Sequence, residues 1–284
     1  MTTTSWDICG LRHDHTREIL RLLERDPVES VFLRSVIMRL GVELHGRHAQ
    51  LLGARSSTGT VAGVLLLSSL VVPFALNRDV ARAFGQFIVE SGAQVRNIVG
   101  RRETVQGLRE GMRHHGTQHR LLRDRQLVYV LERECFRSCG EAALRRATLS
   151  DLGLVVAASA AMMKEEVEED PLAERPAEFR WFIRDRIVRG DEYLWCDDDG
   201  VCFRCNLSAR TPDLAQIEGV YTPPERRRAG LATRGLSALC GRLLQDTPRL
   251  CLYVNDFNHG AIRLYERLGF RHVFDFQSVF YPPA

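Results

Sequence analysis

Apolar residues recur along this chain in two rhythms, one of about 3.6 residues and one of two, and the order of the rhythms repeats in its two halves. In the first half, helical spacing predicts helices over Thr16–Glu24 and Val31–Leu40. Compact apolar runs then predict strands at Gln50–Arg55, Val61–Leu67 and Leu70–Phe74. A helix over Arg78–Ser91, a strand at Arg96–Gly100, a helix over Glu103–His114 and a strand at Gln126–Leu131 follow. The second half opens on a strand at Ala143–Ala147. Ser150 or Asp151 is placed to cap a helix running to Met163, with Leu154, Val155, Ala158 and Met162 on one face. Another helix is expected over Ala177–Val188, ending near Gly190. Strands Glu192–Cys196 and Val201–Ser208 are joined by the turn Asp197-Asp198-Asp199-Gly200, and Leu214–Tyr221 completes a meander. Pro223-Pro224 ends that strand. A helix over Leu231–Gln245 follows, its stripe made by Leu236, Leu239, Cys240, Leu243 and Leu244. Leu250–Val254 reads as a strand, Gly260–Arg267 as a short helix with Gly269 as its cap, and Phe270–Tyr281 as strand material. Helices and strands interleaved in this way predict an α/β (α+β) layered fold in each half.

Composition narrows the class. With 45% hydrophobic and 26% charged residues, the chain has the balance of a globular protein. The longest apolar run, Val61 to Leu76, is broken by Gly63, Ser68, Ser69 and Pro73, which fits two buried strands and no membrane span. Met1-Thr2-Thr3-Thr4-Ser5-Trp6 lacks the basic and apolar regions of a signal peptide. The eight cysteines are therefore expected as reduced thiols in a cytoplasmic protein. Cys202 and Cys205 have zinc-ligand spacing, but residues three apart on a strand face opposite sides, so no metal is expected.

Charge divides the chain. Residues 1–140 carry 20 arginines against 14 acids, a net of +6, while residues 141–284 carry 18 arginines and Lys164 against 22 acids, a net of −3. The shift predicts a domain boundary near Cys139-Gly140, giving domains 1–140 and 141–284. The near absence of lysine reads as a coding bias, since charge informs partners and solubility more than fold. Nucleic-acid binding by the first half is disfavoured: its arginines are dispersed at helical spacings with no aromatic stacking platform.

The chemistry lies in Ile217-Glu218-Gly219-Val220-Tyr221-Thr222-Pro223-Pro224-Glu225-Arg226-Arg227-Arg228-Ala229-Gly230-Leu231-Ala232. A strand enters a basic, glycine-containing turn that opens a helix. The first turn of a helix has open N–H groups and partial positive charge, and the small residues Ala229, Gly230 and Ala232 let an anion reach them. The turn has no G-x-G-x-x-G, which argues against a Rossmann site, and no lysine, which excludes a P-loop.

Arg227-Arg228-Ala229-Gly230-Leu231-Ala232 resembles the Q/R-x-x-G-x-G/A loop of the GNAT N-acetyltransferases, and the preceding Gly-Val-Tyr-Thr-Pro-Pro-Glu is similar to a common form of their fourth strand. Asn258-His259-Gly260-Ala261-Ile262-Arg263-Leu264-Tyr265-Glu266-Arg267-Leu268-Gly269-Phe270 matches the second part of the signature, N-x-x-A-x-x-x-Y-x-x-x-G-F. The resemblance covers about half of the chain. It implies acyl transfer, from acetyl-CoA above all, to a primary amine by direct attack, with a non-catalytic acyl-CoA-binding regulatory protein as the other reading. The partners it implies are acyl-CoA and an amine acceptor, either a small molecule or a protein amine. The backbone of Val220, Tyr221 and Thr222 would pair with the pantetheine arm. Arg227, Arg228, Ala229, Gly230, Leu231 and Ala232, with Thr233, would cradle the pyrophosphate. Asn258 would help hold the CoA arm and Tyr265 would protonate the departing thiolate. The structural alternative for Tyr265 is a core aromatic.

Attack needs a base to take the proton of an ammonium. Glu218 is the first candidate, ahead of Asp256 and the Tyr221 hydroxyl. Strict alternation puts Glu218 on the side of Val220, where it could instead be an edge-strand carboxylate. The acidic run Glu165–Asp170 reads either as a solvated loop or as the mouth of an acceptor site that attracts cationic amines. In the first half the corresponding junction, Pro73-Phe74-Ala75-Leu76-Asn77-Arg78-Asp79, has no glycine and no such loop, and no tyrosine matches Tyr265. The layout resembles two tandem GNAT-like domains, the first degenerate and unable to hold CoA.

Overall fold

The computed structural model describes residues 6–44, 49–112 and 118–282. It divides into two compact units: Met1–Val128, Tyr253–Asn258 and His272–Ala284 form the first, Tyr129–Leu252 and His259–Arg271 the second.

The first unit begins with β1 (Asp7–Gly10), α1 (Thr16–Leu23), α2 (Val31–Leu40), β2 (Gln50–Arg55), β3 (Val61–Leu67) and β4 (Leu70–Ala75). It continues with α3 (Arg78–Glu90), β5 (Asn97–Arg101), α4 (Arg102–Met112) and the start of β6 (Leu121–Glu132). His114, the expected end of the fourth helix, lies outside the described residues, as do Met1–Ser5 of the leader reading. Strands β1 to β4 pair antiparallel in sequence, and β5 lies parallel to β4. All seven residues of β3 are buried. Successive residues of a strand point to opposite faces, and here both faces are covered. Val64 and Leu66 join Val72 and Phe74 in a core with Ile19, Leu23, Leu33 and Ile37 of α1 and α2. Ala62, Leu65 and Leu67 join Val80, Phe84 and Ile88 of α3. That double burial explains why the strand has no polar half.

The second unit contains β7 (Arg145–Arg146), α5 (Leu152–Val167), α6 (Pro171–Glu174), α7 (Pro176–Val188), β8 (Glu192–Asp197), β9 (Gly200–Arg210) and β10 (Leu214–Tyr221). Then come α8 (Leu231–Asp246), β11 (Arg249–Asn255, of which Arg249–Leu252 belong here) and α9 (His259–Leu268). β7 to β10 pair antiparallel in order, and β11 lies parallel to β10. The plan of the first unit is therefore repeated: a meander followed by one parallel strand. Val155, Val156 and Ala160 of α5 pack with Phe179, Ile183 and Ile187 of α7. All five stripe residues of α8 are buried. The expected strand Ala143–Ala147 is reduced to two residues, Arg145 and Arg146 opposite Leu194 and Tyr193, and the Arg145 guanidinium engages the Asp151 carboxylate at 2.7 and 2.8 Å. Helix α5 runs past Met163 to Val167 and stops at Glu168, whose φ of 58° is left-handed. Glu165 and Glu166 are thus helical, so the acidic run is not one loop.

The last strand, β12 (Arg271–Phe280), pairs antiparallel with β5, Phe276 opposite Arg101 and Phe280 opposite Asn97. Val279 and Tyr281 complete the core around α3. Each unit is thus a mixed, mostly antiparallel sheet flanked by helices. Among the described residues no helix is long and apolar enough to cross a membrane.

Candidate functional site

The site is organised by the end of β10. Its pairing with β9 shifts register between Gln216 and Ile217 and again between Glu218 and Tyr221. Gly219 sits in this bulge at φ +62°, and a Cβ there would lie 2.4 Å from Asn206 Oδ1 and 2.8 Å from Arg204 Nη1. Only glycine fits both the backbone and the space. The bulge corrects the alternation argument for Glu218, because an extra residue breaks the period of two. β10 lies between β9 and β11 in the strand order. Parallel pairing with β11 is restricted to Leu214–Gln216 against Arg249–Cys251, and Ile217–Tyr221 continue beyond it.

Beneath the bulge lies a buried ionic group. Arg204 and Glu192 have no exposed side-chain surface. Arg204 Nη2 donates to Glu192 Oε2 at 2.7 Å and to Asn206 Oδ1 at 2.9 Å, and Arg186 Nε donates to Glu192 Oε1 at 2.7 Å. Burial pulls the Arg186 guanidinium below its ordinary value, against the opposing charge of Glu192. Glu192→Ala would leave two guanidiniums without this counter-charge, and the expected loss is about 3–5 kcal/mol of stability. Chemical denaturation measures it. Replacing Arg186, Glu192 and Arg204 together by methionine, so that no buried charge is left unpaired, should recover most of the loss, and a single-variant loss under about 1 kcal/mol would refute the assignment.

After Tyr221 the chain turns through Thr222 to Arg228 into α8. Arg227 Nε donates to the Thr222 carbonyl at 3.0 Å. Arg228 has φ +64° and Gly230, the N-cap of α8, φ +72°. The N-cap contributes no side-chain hydrogen bond, so the first-turn N–H groups stay open toward an anion. They face a cleft of about 290 Å³. One wall is Thr222, Arg226–Arg228 and Gly230–Thr233; the other is Gly260, Arg263, Leu264 and Arg267 of α9.

The five arginines of the cleft are not equivalent. Arg226 Nη1 holds Asp197 at 2.7 Å. Arg227 forks onto Glu165 at 2.7 and 2.6 Å, and that guanidinium keeps the Glu165 carboxyl below its ordinary range. Arg228, Arg263 and Arg267 have no carboxylate partner among the described residues. The sequence reading missed Glu165 as a partner of the loop, and missed Arg263 and Arg267. The last two were discoverable, since residues four apart on a helix share a face.

Of the residues singled out from sequence, Thr222, Arg227, Arg228, Gly230, Leu231, Ala232 and Thr233 are brought together around the cleft. Ala229 is exposed on the same turn. Val220 lies in the bulge, and Tyr221 is buried with the Arg227 guanidinium 5.8 Å from its ring centroid. Asn258 is exposed ahead of α9, its N–H on the Asn255 carbonyl at 2.9 Å, and it does not line the cleft. Asp256 donates its N–H to the Arg125 carbonyl in the first unit. Tyr265 is 5% exposed, its ring 6.3 Å from that of Tyr129 and 5.9 Å from that of Phe270. Burial raises its phenol well above the ordinary value. Its side chain is not among those lining the cleft.

The equivalent junction of the first unit is closed. Asn77 caps α3 with its own side chain, accepting from the Val80 N–H at 3.0 Å. Phe74 is buried and the Arg78 and Arg82 guanidiniums both engage Glu110. All eight cysteines are free. Among the described residues no group of three or more His, Cys, Asp or Glu is placed to hold a metal ion.

A meander, a bulged fourth strand and an uncapped helix start define an acyltransferase-like fold, and the comparisons agree. Residues 160–270 match the acetyltransferase (GNAT) family model, and residues 49–155 match that of a domain of unknown function (DUF4081). Residues 160–270 are therefore a GNAT-family domain. No curated protein matches the chain. Solved structures share its fold over nearly its whole length. A Drosophila protein superposes with a TM-score of 0.66 at 14% identity, covering 99% of this chain and 100% of its own. A tandem GNAT protein from the clavulanic acid biosynthesis pathway gives 0.60 at 13% identity, covering 99% and 100%. A GCN5-related N-acetyltransferase from Sphaerobacter thermophilus gives 0.60 at 14% identity, covering 98% and 97%.

Proposed function

We propose that the second unit transfers an acyl group, acetyl above all, from CoA to a primary amine, and that the first unit holds no CoA. The observation that carries this reading is the α8 start. It is an uncapped helix N-terminus with a left-handed glycine, opening on a cleft with three guanidiniums that have no carboxylate partner among the described residues. An anionic group of pyrophosphate size suits that chemistry. The corresponding helix start of the first unit is capped instead, the Asn77 side chain accepting from the Val80 N–H.

In the reaction the amine nitrogen forms a bond to the thioester carbonyl carbon, the C–S bond breaks, and the amine proton passes to a base. Glu218, beside the bulge, is the first candidate for that base, ahead of Asp256 and Tyr221. Val220, Tyr221 and Thr222 supply backbone for the pantetheine arm, and Asn258 is the candidate for steadying it. Tyr265 serves the leaving thiolate. A thiol near 8.5 is a stronger acid than this phenol, so full transfer ahead of bond breaking is uphill. The hydroxyl therefore works by donating a hydrogen bond as charge develops on sulfur.

Two measurements on the full chain test this. CoA thiol should be released steadily from acetyl-CoA in the presence of an amine library, and calorimetry should find one CoA per chain. Binding without turnover would favour the acyl-CoA-binding regulatory reading, and two equivalent sites would overturn the assignment of the first unit.

A further inference from the structure

The bulge of β10 has a floor, and the floor is polar. β9 meets β10 with Asn206 opposite Glu218 and Arg204 opposite Tyr221, so two steps along β9 face three along β10. The extra residue is absorbed between these partners, where Gly219 adopts its left-handed φ of +62°. Residues two apart on a strand point to one face, and Arg204 and Asn206 are joined there: Arg204 Nη2 donates to Asn206 Oδ1 at 2.9 Å. That link spans the stretch of β9 across which the offset occurs. The tips of the same two side chains fill the space beneath Gly219, Asn206 Oδ1 2.4 Å and Arg204 Nη1 2.8 Å from where a Cβ would stand. β11 adds nothing to this register, because its pairing with β10 stops at Gln216.

Stability is a poor account of such a group. Arg204 Nε and Asn206 Nδ2 are buried without a hydrogen-bond partner, and Arg204 Nη1 donates to the Met162 sulfur at 3.9 Å, a weak acceptor. Buried donors without acceptors and charges out of water both cost stability, and apolar residues of similar volume fill such a space without that cost. What the group does supply is a fixed offset. Strand side chains alternate with a period of two, so closing up the bulge would turn every side chain from Val220 onward to the opposite face.

We propose that Arg204 and Asn206, anchored by Glu192, are positioning residues for acyl transfer: by locking the one-residue offset of β10 they aim the backbone of Val220 and Tyr221 at the thioester arm, without touching either substrate. This rests on the acyl-transfer reading above and deepens it. Glu192 holds Arg204 from the far side at 2.7 Å, so the guanidinium is fixed between the carboxylate and the amide. Displacing reacting groups by about 1 Å costs on the order of 100-fold in rate, so loss of the lock falls on kcat.

The test uses the full chain with acetyl-CoA and an amine that the native protein turns over. Asn206→Leu keeps the volume and removes the acceptor for Arg204. It should lower kcat about 10- to 100-fold. CoA affinity by calorimetry should stay within about threefold, because the Arg227–Thr233 loop is untouched. The pH profile of kcat should keep its shape, since no charge has been removed. Asn206→Asp restores an acceptor for Arg204 and should recover part of the rate. Arg186→Met/Glu192→Met/Arg204→Met lacks the lock but leaves no buried charge unpaired, so it should melt near the native temperature and still turn over slowly. A native kcat in Asn206→Leu or in the stable triple variant, or rate losses that simply follow melting temperature across the set, would overturn the positioning role and leave acyl transfer standing. No turnover of any amine by the native protein would remove the acyl-transfer reading itself, and this inference with it.

Discussion

Gly230→Asp is expected to abolish acyl-CoA binding in the otherwise folded protein, with affinity lower by about 100-fold or more from opposing charge alone. The position isolates the effect. A Cβ built on Gly230 meets nothing within 4 Å, so no clash accompanies the change. The left-handed backbone, φ +72°, is one that aspartate visits more readily than most residues. The added carboxylate stands where the anion would, beside the open N–H groups of α8, and competes for them. Gly230→Ala is the control: it should cost about 1 kcal/mol of stability and leave most of the affinity. Calorimetry with CoA and a thermal melt decide the matter. Unchanged affinity in the aspartate variant would reject the loop as the diphosphate site.

Tyr265→Phe should reduce turnover by about 10²–10³-fold with little change in CoA affinity, the range for loss of one hydrogen-bond donor aimed at developing negative charge. The substitution removes only the hydroxyl, so the ring contacts with Tyr129 and Phe270 are kept. If the hydroxyl served only packing, the variant would lose little activity. Single-turnover acyl transfer with a good acceptor separates the cases, because it reports chemistry without product release. A rate within about threefold of native would assign the donor role elsewhere and leave Tyr265 as core. Its raised phenol bears on the same point. The group stays protonated across the working range, so no loss of rate with rising pH should trace to Tyr265 below the ordinary phenol value.

The elements were legible wherever one periodicity ran unbroken. α2, β2, β3 and β10 lie at the expected bounds, because their flanking turns are marked by Gly, Pro or Asp. β1 was missed, since four residues leave too short a run to show a period. At the site, the loop was legible because its chemistry depends on residue size and charge in one short segment. The bulge was not. Ile217 to Tyr221 read as plain alternation, and only the approach of Arg204 and Asn206 to Gly219 explains the glycine. The ionic group under it was illegible for the same reason: Arg186, Glu192 and Arg204 come from three elements and carry no spacing signal. Nor does local pattern choose partners for strands, so Phe270–Tyr281 could be read as a strand without revealing that β5 is its neighbour.

That pairing has a consequence for the order of events on the ribosome. β5 lies at residues 97–101, yet the strand that pairs with it emerges only after the whole second unit has been made. Until then β5 presents an open edge, with Ile98 and its neighbours around α3 lacking the cover of Val279 and Tyr281. The nascent first unit is therefore an unfinished sheet for most of its synthesis, when exposed edges invite wrong pairing. Closing so long a loop adds little to the equilibrium cost, which grows only logarithmically, but it delays completion. Of the two units, the one whose strands begin to emerge earlier is thus the one that must wait for β12 to be completed.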